Sequence, residues 1–317
     1  MTWGVIATGG IAHAVTADML KAGVSVGAVS SRDIAKAQQF AEKFGIPRAY
    51  GDYHELLADP EIKIVYVATP HGQHHEVVLA ALDAGKNVLC EKALALTVAQ
   101  VEEMIERARS TQLFLMEAMW TRFNPLIQKI AQAVADDEIG EVRLIRADFG
   151  FRHDFDANDR LWAKEAGGGS ILDLGVYPVS LAHLLLGVPT EIHAHGSLAP
   201  TGVDADAGIL LGYEDGAQAL LSCSLTADTG ASATIVGTKG RIDIPESFFN
   251  PTRAIINGVE HVIEDGGYTH QIESVEAFWV MGFIEHSDMT WTDSLEIIRI
   301  METALGQLGV SYADVTR

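Results

Sequence analysis

Glu91 and Lys92 are the two residues whose types and position most clearly offer chemistry. They directly follow Val88-Leu89-Cys90, a short apolar run that predicts a buried strand. In an open α/β sheet, ligands bind at the edge formed by the carboxyl ends of the strands. A lysine there can orient a hydroxyl, stabilise an alkoxide-like transition state and lower the pKa of a neighbouring acid. The alternative is that both are ordinary solvated loop residues.

An acid and a phenol in the second half of the chain form another candidate pair. Asp173 and Tyr177 are four residues apart, so they share a face if this segment is helical. Pro178 lies inside the pattern and should kink or delay the helix. A buried carboxylate and phenol need polar partners, and Lys92 would satisfy both. The alternative is a helix start at which Asp173 caps and Tyr177 packs in the core.

The elements that must position Lys92 belong to an alternation of strand and helix patterns over residues 1–120. The predicted strands are 4–7, 25–29, 64–68, 88–90 and 113–116. The predicted helices are 11–21, 34–44, 53–58, 74–83 and 98–110. This alternation predicts an α/β fold with a doubly wound parallel sheet, whose right-handed crossovers place ligands at the carboxyl ends of the strands.

The first turn of this domain has most of a dinucleotide-binding fingerprint. Gly9, Gly10, Ile11 and Ala12 follow a strand and open a helix, as that fingerprint requires. Gly9 lies where the backbone must approach a pyrophosphate, and Ala12 where helix and strand pack closely. Ala7 replaces the first glycine, so the match is incomplete. An ordinary tight turn is the alternative.

The end of the second predicted strand bears on the choice of cofactor. An NAD site usually has an acid there to accept a hydrogen bond from the ribose 2′-hydroxyl. This chain has Ser31 and Arg32 instead, and a guanidinium suits a 2′-phosphate. Asp33 is predicted to cap the next helix. We therefore expect NADP, with NAD as second choice, unless Arg32 is simply a solvated residue at a helix start.

Two histidines follow the strand at 64–68. Pro70 and Gly72 predict a loop at the same sheet edge, in which Thr69, His71 and His74 can contact the nicotinamide side of a cofactor. For His74 the alternative is an ordinary residue in the first turn of a helix. The histidine spacing matches no standard metal site, so we expect no metal.

Several segments resemble those of a known family and follow each other in the same order along the chain. They are the turn at Gly9, the Thr69-Pro70 loop with His74, Glu91-Lys92, and residues 3–5, 88–92, 114–123 and 237–240. Together they resemble the glucose–fructose oxidoreductase / inositol dehydrogenase (Gfo/Idh/MocA) family, in particular its dimeric dihydrodiol dehydrogenase and NADP-dependent xylose dehydrogenase branch. Two positions differ, because family members usually carry Pro where this chain has Ala93, which predicts a less rigid loop, and commonly Asn where it has His71.

The resemblance implies an NADP-dependent oxidoreductase that transfers a hydride between the nicotinamide and a secondary alcohol of a sugar or cyclic diol. Tyr177 would be the acid/base, Lys92 would hold the phenolate or the substrate oxygen, and Asp173 would hold Lys92 or the substrate. The expected cofactor-binding residues are Gly9, Gly10, Ile11, Ala12, Ser31, Arg32, Thr69, His71, His74, Glu91, Lys92 and Arg160.

Aromatic and arginine side chains supply the expected substrate site. Aromatic walls suit a ring or sugar face, and arginines suit hydroxyls or phosphate, although each residue alone could belong to the core or the surface. The expected cleft residues are Trp120, Arg122, Phe123, Phe149, Phe151, Trp162 and Tyr177.

The pattern changes after Pro125, which predicts a second domain. We expect a dinucleotide-binding domain over 1–122 and an α+β substrate and oligomerisation domain over 123–317, with a large open mixed or antiparallel sheet. The predicted strands are 141–151, 191–197, 208–213, 217–226, 232–236, 241–244 and 254–256. The predicted helices are 126–135, 170–186, 268–285 and 294–306. Apolar alternation in the strands predicts a homodimer through one sheet face.

Composition excludes some partners. The net charge of −21 argues against nucleic acid and anionic membranes, and we find no apolar run of membrane-spanning length. A strand pattern that starts at Trp3 predicts no leader peptide. With two cysteines, no disulfide framework is expected, which favours the cytoplasm.

Two other function classes stay open. Some relatives with this fold retain NAD and cleave glycosides through transient oxidation, and the chain could also be a sugar or cofactor sensor without catalysis. Net reduction of the nicotinamide separates a dehydrogenase from a hydrolase. The presence of both Lys92 and Tyr177 argues against a sensor, which needs no proton transfer.

Overall fold

The computed structural model describes residues 2–315, which divide into two compact units. The first unit comprises the chain up to Ala95, Ala99–Trp120 and Gly267–Ser294. The second comprises Leu96–Val98, Thr121–Gly266 and the chain from Leu295 onward. The first unit therefore includes a late segment of the chain as well as its beginning.

The first unit is built on a parallel sheet, which confirms the predicted doubly wound α/β fold. Within the described chain the sheet has six strands in the order β3-β2-β1-β4-β5-β6. These strands are β1 (Thr2–Ile6), β2 (Ser25–Ser30), β3 (Arg48–Tyr50), β4 (Ile64–Val67), β5 (Asn87–Glu91) and β6 (Leu115–Ala118). The order reverses between β1 and β4, where such sheets bind ligands. The central strands β4 and β5 are buried over almost their whole length.

Local signals explain where the helices of the first unit begin and end. They are α1 (Gly10–Lys21), α2 (Ile34–Phe44), α3 (Tyr53–Ala58), α4 (His71–Asp83) and α5 (Val98–Thr111). The Asp33 side chain accepts from the Ala35 N–H and caps α2, as predicted. Gly45, in the left-handed conformation, ends the same helix. Both bounds of α2 and of α3 match the prediction.

Three predictions in this unit were wrong. The three-residue edge strand β3 was missed, and β6 lies two residues later than expected. The predicted loop over Thr69–His74 is mostly helix, because α4 begins at His71 rather than His74. Pro70 precedes the helix at its N-cap position, where its fixed φ is compatible with helix initiation.

The second unit confirms the predicted large open sheet. In the described residues it has eight strands in the order β14-β13-β12-β11-β7-β10-β9-β8, with β7 and β10 parallel and the other pairs antiparallel. The strands are β7 (Val142–Gly150), β8 (Glu191–Leu198), β9 (Asp204–Gly212), β10 (Gln218–Ser224), β11 (Ala233–Gly237), β12 (Arg241–Ile244), β13 (Arg253–Ile256) and β14 (Val259–Val262). The sequence analysis missed β14.

Four helices complete the described chain: α6 (Pro125–Ala135), α7 (Val176–Leu186), α8 (Thr269–Val280) and α9 (Trp291–Gln307). The buried helix α7 packs on β7 and β10. In the first unit, α8 packs on α1 and is shorter than predicted, because Gly282 turns the chain with φ +84°.

One helical stretch in the described residues, Lys164–Leu186, is long and apolar enough to cross a membrane, with a mean hydropathy of 1.4. The protein itself buries 83% of this stretch, as expected of a core helix.

Candidate active site

The fingerprint turn leaves the start of α1 open. Gly9 is the extended N-cap residue and, as a glycine, has no side chain with which to cap this helix. A Cβ added at Gly9 or Gly10 would meet no described atom within 4 Å. Ala12 is fully buried against the sheet. The first helical turn therefore presents exposed N–H groups beside glycine backbone, an arrangement that suits an anion.

Ala7, at the position of the first fingerprint glycine, has a φ of +90°. This conformation is open to glycine and strained for alanine. The backbone thus keeps the shape of the glycine turn although the glycine is absent. The Ala7 N–H donates to the Ser30 carbonyl, which ties the turn to the end of β2.

The chain becomes exposed directly after β2, where the sequence predicted the 2′-phosphate. Ser31 accepts from the Asp33 N–H through its hydroxyl, and the Arg32 side chain is exposed. Lys36, in the first turn of α2, lines a cavity of about 240 Å³ whose wall includes Thr8 and Lys43. A second cation therefore lies near the first turn, and sequence analysis did not identify it.

The loop that carries Lys92 is held by three side chains, which contact two successive peptide units. His71 Nε2 lies 3.0 Å from the Lys92 carbonyl oxygen, and His74 Nδ1 lies 3.0 Å from that of Ala93. On β6, the buried Glu117 accepts from the Leu94 N–H at 3.0 Å. The peptide bond between Lys92 and Ala93 is cis. Lys92 itself is half-buried.

His74, which was expected to contact the nicotinamide, is directed into the protein. His74 is 0% exposed, and its second ring nitrogen, Nε2, lies 2.8 Å from the Thr69 carbonyl oxygen. Both ring nitrogens therefore face backbone oxygens below the surface of the strand ends. Neither nitrogen is left to contact a ligand.

Glu91 is also directed into the protein. The Tyr66 hydroxyl on β4 donates to Glu91 Oε1 at 2.5 Å, and both side chains are buried. Burial, followed by the Glu91 carboxylate, raises the pKa of Tyr66 well above its usual value. Tyr66 stays neutral and holds the acid next to Lys92 in place.

Trp120 packs against a residue that the sequence analysis did not identify. Its ring lies 4.3 Å from that of Tyr268, measured between centroids. The Tyr268 N–H donates to the Asp18 carboxylate on α1. Tyr268 thus ties the late segment of the first unit to its first helix.

In the second unit, Asp173 lies in a π-helical turn, Ile171–Gly175, that leads into α7. Such turns are rare and often occur at functional sites. Pro178 is the third residue of α7, within the first turn, where N–H groups have no intrahelical partner, so it does not break the helix. Asp173 and Tyr177 are both buried, each 6% exposed.

Arg160 binds Asp173 directly, with 3.1 Å between Nη1 and Oδ1. Arg160 was expected to contact the cofactor and Asp173 to contact Lys92 or the substrate. The structure brings these two residues together across the loop that precedes α7. The Asp173 carboxylate therefore lies beside a guanidinium that is 56% exposed.

Tyr177 packs against a pair of stacked phenylalanines. Phe149 and Phe249 have ring centroids 4.3 Å apart and an interplanar angle of 7°. The Tyr177 ring lies 5.5 Å from Phe149 and 5.6 Å from Phe249. This aromatic cluster fixes the Tyr177 ring and surrounds it with apolar side chains.

The start of the Asp173–Tyr177 segment is anchored by a buried acid, Asp204. One of its oxygens accepts from the Ser170 hydroxyl at 2.7 Å and from the Ile171 N–H at 2.6 Å. Burial raises the pKa of Asp204, although these donors oppose the shift. A side chain at Gly169, whose φ is +109°, would collide with Asp204.

The remaining predicted substrate residues lie in different surroundings. Arg122 is buried and donates to Ser180 and to His183 Nδ1, while His183 Nε2 faces Glu296 at 2.7 Å. Trp162 is buried and donates to the Asp154 carbonyl. Phe151 is half-buried near Phe149, and Phe123 is buried, at 2% exposure.

Comparison with known proteins gives this geometry a family. The profile of the oxidoreductase family with an NAD-binding Rossmann fold, GFO/IDH/MocA, matches residues 1–119, and the profile of the family's C-terminal domain matches residues 127–243. The chain belongs to the GFO/IDH/MocA oxidoreductase family. It is an NAD(P)-dependent dehydrogenase.

Members of this family resemble the chain over almost its full length. A trans-1,2-dihydrobenzene-1,2-diol dehydrogenase of Xenopus tropicalis is 38% identical over 98% of both sequences. A 3-ketoreductase from Actinomadura kijaniata, solved with NADP and TDP-benzene, is 28% identical over 97% of both chains, with a TM-score of 0.83. An aldose-aldose oxidoreductase from Caulobacter crescentus shares the fold, with a TM-score of 0.87 at 24% identity over 97% of both chains.

The residues present fit the dinucleotide of a GFO/IDH/MocA enzyme. The uncapped start of α1 and the open glycines suit a pyrophosphate. Two buried hydroxyl oxygens, of Ser30 at the end of β2 and of Thr69 after β4, have no hydrogen-bond partner within residues 2–315. Buried hydroxyls normally have partners, and both lie at the sheet edge where the family binds its cofactor.

Sequence analysis missed several residues that shape this site: Lys36, Tyr66, Glu117, Asp204, Phe249 and Tyr268. Glu117 and Tyr66 did carry a signal, since each is a polar residue within an otherwise apolar strand pattern. Phe249 and Tyr268 are far in sequence from their partners, and no local pattern indicates such contacts.

Proposed function

We propose that this enzyme is an NADP-dependent dehydrogenase that transfers a hydride between the nicotinamide and a secondary alcohol of a sugar or cyclic diol. The proposal is carried by the similarity of this chain to a trans-diol dehydrogenase over 98% of its length, together with the position of Lys92 directly after β5. The bound nicotinamide would supply the hydride chemistry, and the protein would supply orientation and proton transfer.

Tyr177 is the proposed acid/base. A phenol can accept the proton of a substrate hydroxyl as hydride leaves the same carbon, and return it in the reverse direction. The stacked Phe149 and Phe249 support this role, because they hold the ring and exclude water around it. A fixed ring orientation is what proton transfer to a single substrate oxygen requires.

Lys92 and Asp173 are proposed to supply the charges. The Lys92 ammonium would stabilise negative charge as it develops on a phenolate or substrate oxygen. Asp173 would hold a substrate hydroxyl or Lys92, while Arg160 orients its carboxylate through the ion pair between them. The rigid backbone around Lys92 supports this role, since a catalytic cation must be positioned closely.

NADP is the proposed cofactor because the end of β2 has cations and lacks an acid that would repel a phosphate. Arg32 is exposed there, and Lys36 adds a second positive charge near Thr8. Asp33 follows Arg32 in the sequence, and its carboxylate is engaged in capping α2. A 2′-phosphate would therefore meet a local positive field although the whole chain is strongly acidic.

The other proposed contacts follow the sequence analysis, without His74. We propose that the cofactor is held by Gly9, Gly10, Ile11, Ala12, Ser31, Arg32, Thr69, His71, Glu91, Lys92 and Arg160. We propose that the substrate is bound by Trp120, Arg122, Phe123, Phe149, Phe151, Trp162 and Tyr177.

We further propose a cytoplasmic homodimer that associates through the sheet of the second unit. Leu210 on β9 and Leu220 on β10 are paired across the strands and are 37% and 42% exposed. Apolar side chains on an open sheet face favour association. The cysteines Cys90 and Cys223 are both buried and free, which suits a reducing compartment.

A screen of sugars, inositols and trans-diols with NADP and with NAD tests this function. We expect reduction of NADP, followed by absorbance of the reduced nicotinamide, with at least one vicinal diol or aldose. Sugar release without net reduction would instead indicate a hydrolase. Tight binding of substrates without either reaction would indicate a sensor.

A further inference from the structure

His74 has an unusual hydrogen-bonding position. Its side chain is completely buried, with Nδ1 3.0 Å from the Ala93 carbonyl oxygen and Nε2 2.8 Å from the Thr69 carbonyl oxygen. A carbonyl oxygen only accepts hydrogen bonds. Each contact is therefore a bond only when the nitrogen facing it carries a proton.

The two carbonyls belong to different strand-end loops of the first unit. Thr69 follows β4, and Ala93 follows β5 immediately after Lys92. His74 lies one helical turn after His71 on α4, so both rings are on the same face, and they contact successive carbonyls of the Lys92 loop. Helix α4 thus contacts the Lys92–Ala93 peptide through His71 and the following peptide through His74.

Core packing alone does not require this residue. Removing a polar ring from water costs free energy unless its hydrogen bonds are replaced, and a leucine could fill the same space without that cost. Burial lowers the pKa of His74; the carbonyl contacts oppose this shift, and the Lys92 cation adds to it. Burial of the imidazole therefore costs folding free energy. What the structure shows in exchange is that its contacts hold the Lys92 loop.

We propose that His74 is a positioning residue that holds Lys92 in its reactive place through the Ala93 carbonyl, with His71 holding the preceding carbonyl. This inference rests on the proposed role of Lys92 in hydride transfer. A shift of about 1 Å in a catalytic group can cost a factor of about 10² in rate. Loss of the Ala93 contact is therefore expected to lower kcat more than it raises KM.

Asparagine and glutamine separate the two contacts of His74. The Asn amide nitrogen can take the place of Nδ1 and keep the bond to Ala93, whereas the Gln amide nitrogen takes the place of Nε2 and keeps the bond to Thr69. We expect kcat of His74→Gln to fall at least about ten-fold below that of His74→Asn, consistent with a displaced catalytic group. Thermal unfolding should show both variants folded and similarly destabilised.

His71 gives the opposite order and serves as the matched test. Its contact with the Lys92 carbonyl is made by Nε2, so His71→Gln keeps the bond and His71→Asn loses it. Asparagine should therefore be the better substitute at position 74 and glutamine at position 71. A general loss of stability would not produce this reversal. If a variant at 74 fails to fold, the two variants at 71 still test whether the histidines hold the Lys92 loop.

A second readout uses the cofactor-free protein. Acetylation of Lys92 by acetic anhydride, followed by peptide mass spectrometry over a pH series, reports the environment of its amine. We expect the Lys92 profile to differ from the native one in His74→Gln and less so in His74→Asn, while an exposed lysine such as Lys239 is unaffected. Identical profiles in all three proteins would contradict the inference.

Lys92→Met separates this inference from the proposed function. If Lys92→Met is inactive and the Asn and Gln variants have equal kcat at each position, the positioning role of His74 and His71 is wrong and the role of Lys92 stands. If Lys92→Met keeps native activity, the proposed role of Lys92 fails, and the positioning role of the histidines fails with it. An inactive Lys92→Met together with the reversed order at 71 and 74 supports both.

Discussion

Tyr66 and Glu91 form a buried hydrogen bond of 2.5 Å between the neighbouring strands β4 and β5. A buried carboxylate is costly unless donors hold it, and here a neutral phenol supplies one of them. The pair lies at the end of β5, directly before Lys92. Tyr66 therefore fixes the Glu91 side chain directly before the residue proposed to carry the catalytic cation.

The phenol of Tyr177 is expected to carry the proton. Tyr177→Phe removes only the hydroxyl, so kcat should fall by roughly 10²–10⁴, the usual span for a positioned acid/base. Cofactor affinity, measured by fluorescence titration, should be retained. Tyr213→Phe removes another buried hydroxyl of the same unit and is the control, with kcat near the native value. A Tyr177→Phe enzyme at native rate would assign the proton to another residue.

The end of β2 is expected to select NADP. An Arg32 bond to a 2′-phosphate should be worth about 1.5–3 kcal/mol, or roughly ten-fold or more in kcat/KM. Its exposure keeps the preference near the lower bound. Arg32→Ala should raise KM for NADP and leave NAD almost unchanged. Ser31→Asp should penalise NADP by charge repulsion, and Arg109→Ala, which removes another exposed arginine, is the control. Equal kcat/KM for the two cofactors in the native enzyme would move the assignment to NAD.

The substitution Ala7→Gly, which restores the first fingerprint glycine, should stabilise the folded protein. With φ at +90°, alanine is strained by about 1–3 kcal/mol, and glycine relieves this strain. Part of the gain is lost because glycine also gives the unfolded chain more conformational freedom. Ala7→Gly should therefore raise the free energy of unfolding by about 1 kcal/mol in urea titrations. Ala35→Gly, in the first turn of α2, is the control and should lower it by about 0.5–1 kcal/mol. A destabilised Ala7→Gly would show that the turn carries no strain.

The buried Asp204 should make stability depend on pH. Burial raises its pKa in the folded protein above the unfolded value of about 3.9. Its contribution is fully present below the unfolded pKa and is lost as pH rises through the folded pKa. In urea titrations over a pH series, the unfolding free energy of the native protein relative to Asp204→Asn should fall across that window. Exposed Glu214→Gln should show no such trend, and a flat difference for Asp204→Asn would contradict the raised pKa.

The open sheet face should mediate the dimer. Leu210→Glu combined with Leu220→Glu places like charges directly opposite each other on β9 and β10 in both subunits. Light scattering at micromolar concentration should show a dimer for the native protein and a monomer for this variant. Val188→Glu, at a more exposed apolar position outside the strands, should remain dimeric. A native monomer would contradict the proposed assembly.

Local sequence determined most of the secondary structure and the fold class. Asp33 and Gly45 are short-range signals, and they placed both ends of α2 without reference to the rest of the chain. Apolar runs such as Val88-Leu89-Cys90 predict strands for the same reason, because burial of a short segment is visible in its own composition. The order of those elements then restricts the sheet topology to a few solutions.

Only the tertiary structure decided what the polar residues contact. His74 looked like a ligand-facing residue, yet α4 begins at His71 and turns the ring onto the Ala93 and Thr69 carbonyls. Arg160 was expected to contact the cofactor, and its pairing with Asp173 was not predicted. The side chain of a polar residue bonds to whatever packing brings within about 3 Å, and that neighbour often lies far away in sequence. Residue types therefore indicated the chemistry, and the packing of distant segments assigned each residue its partner.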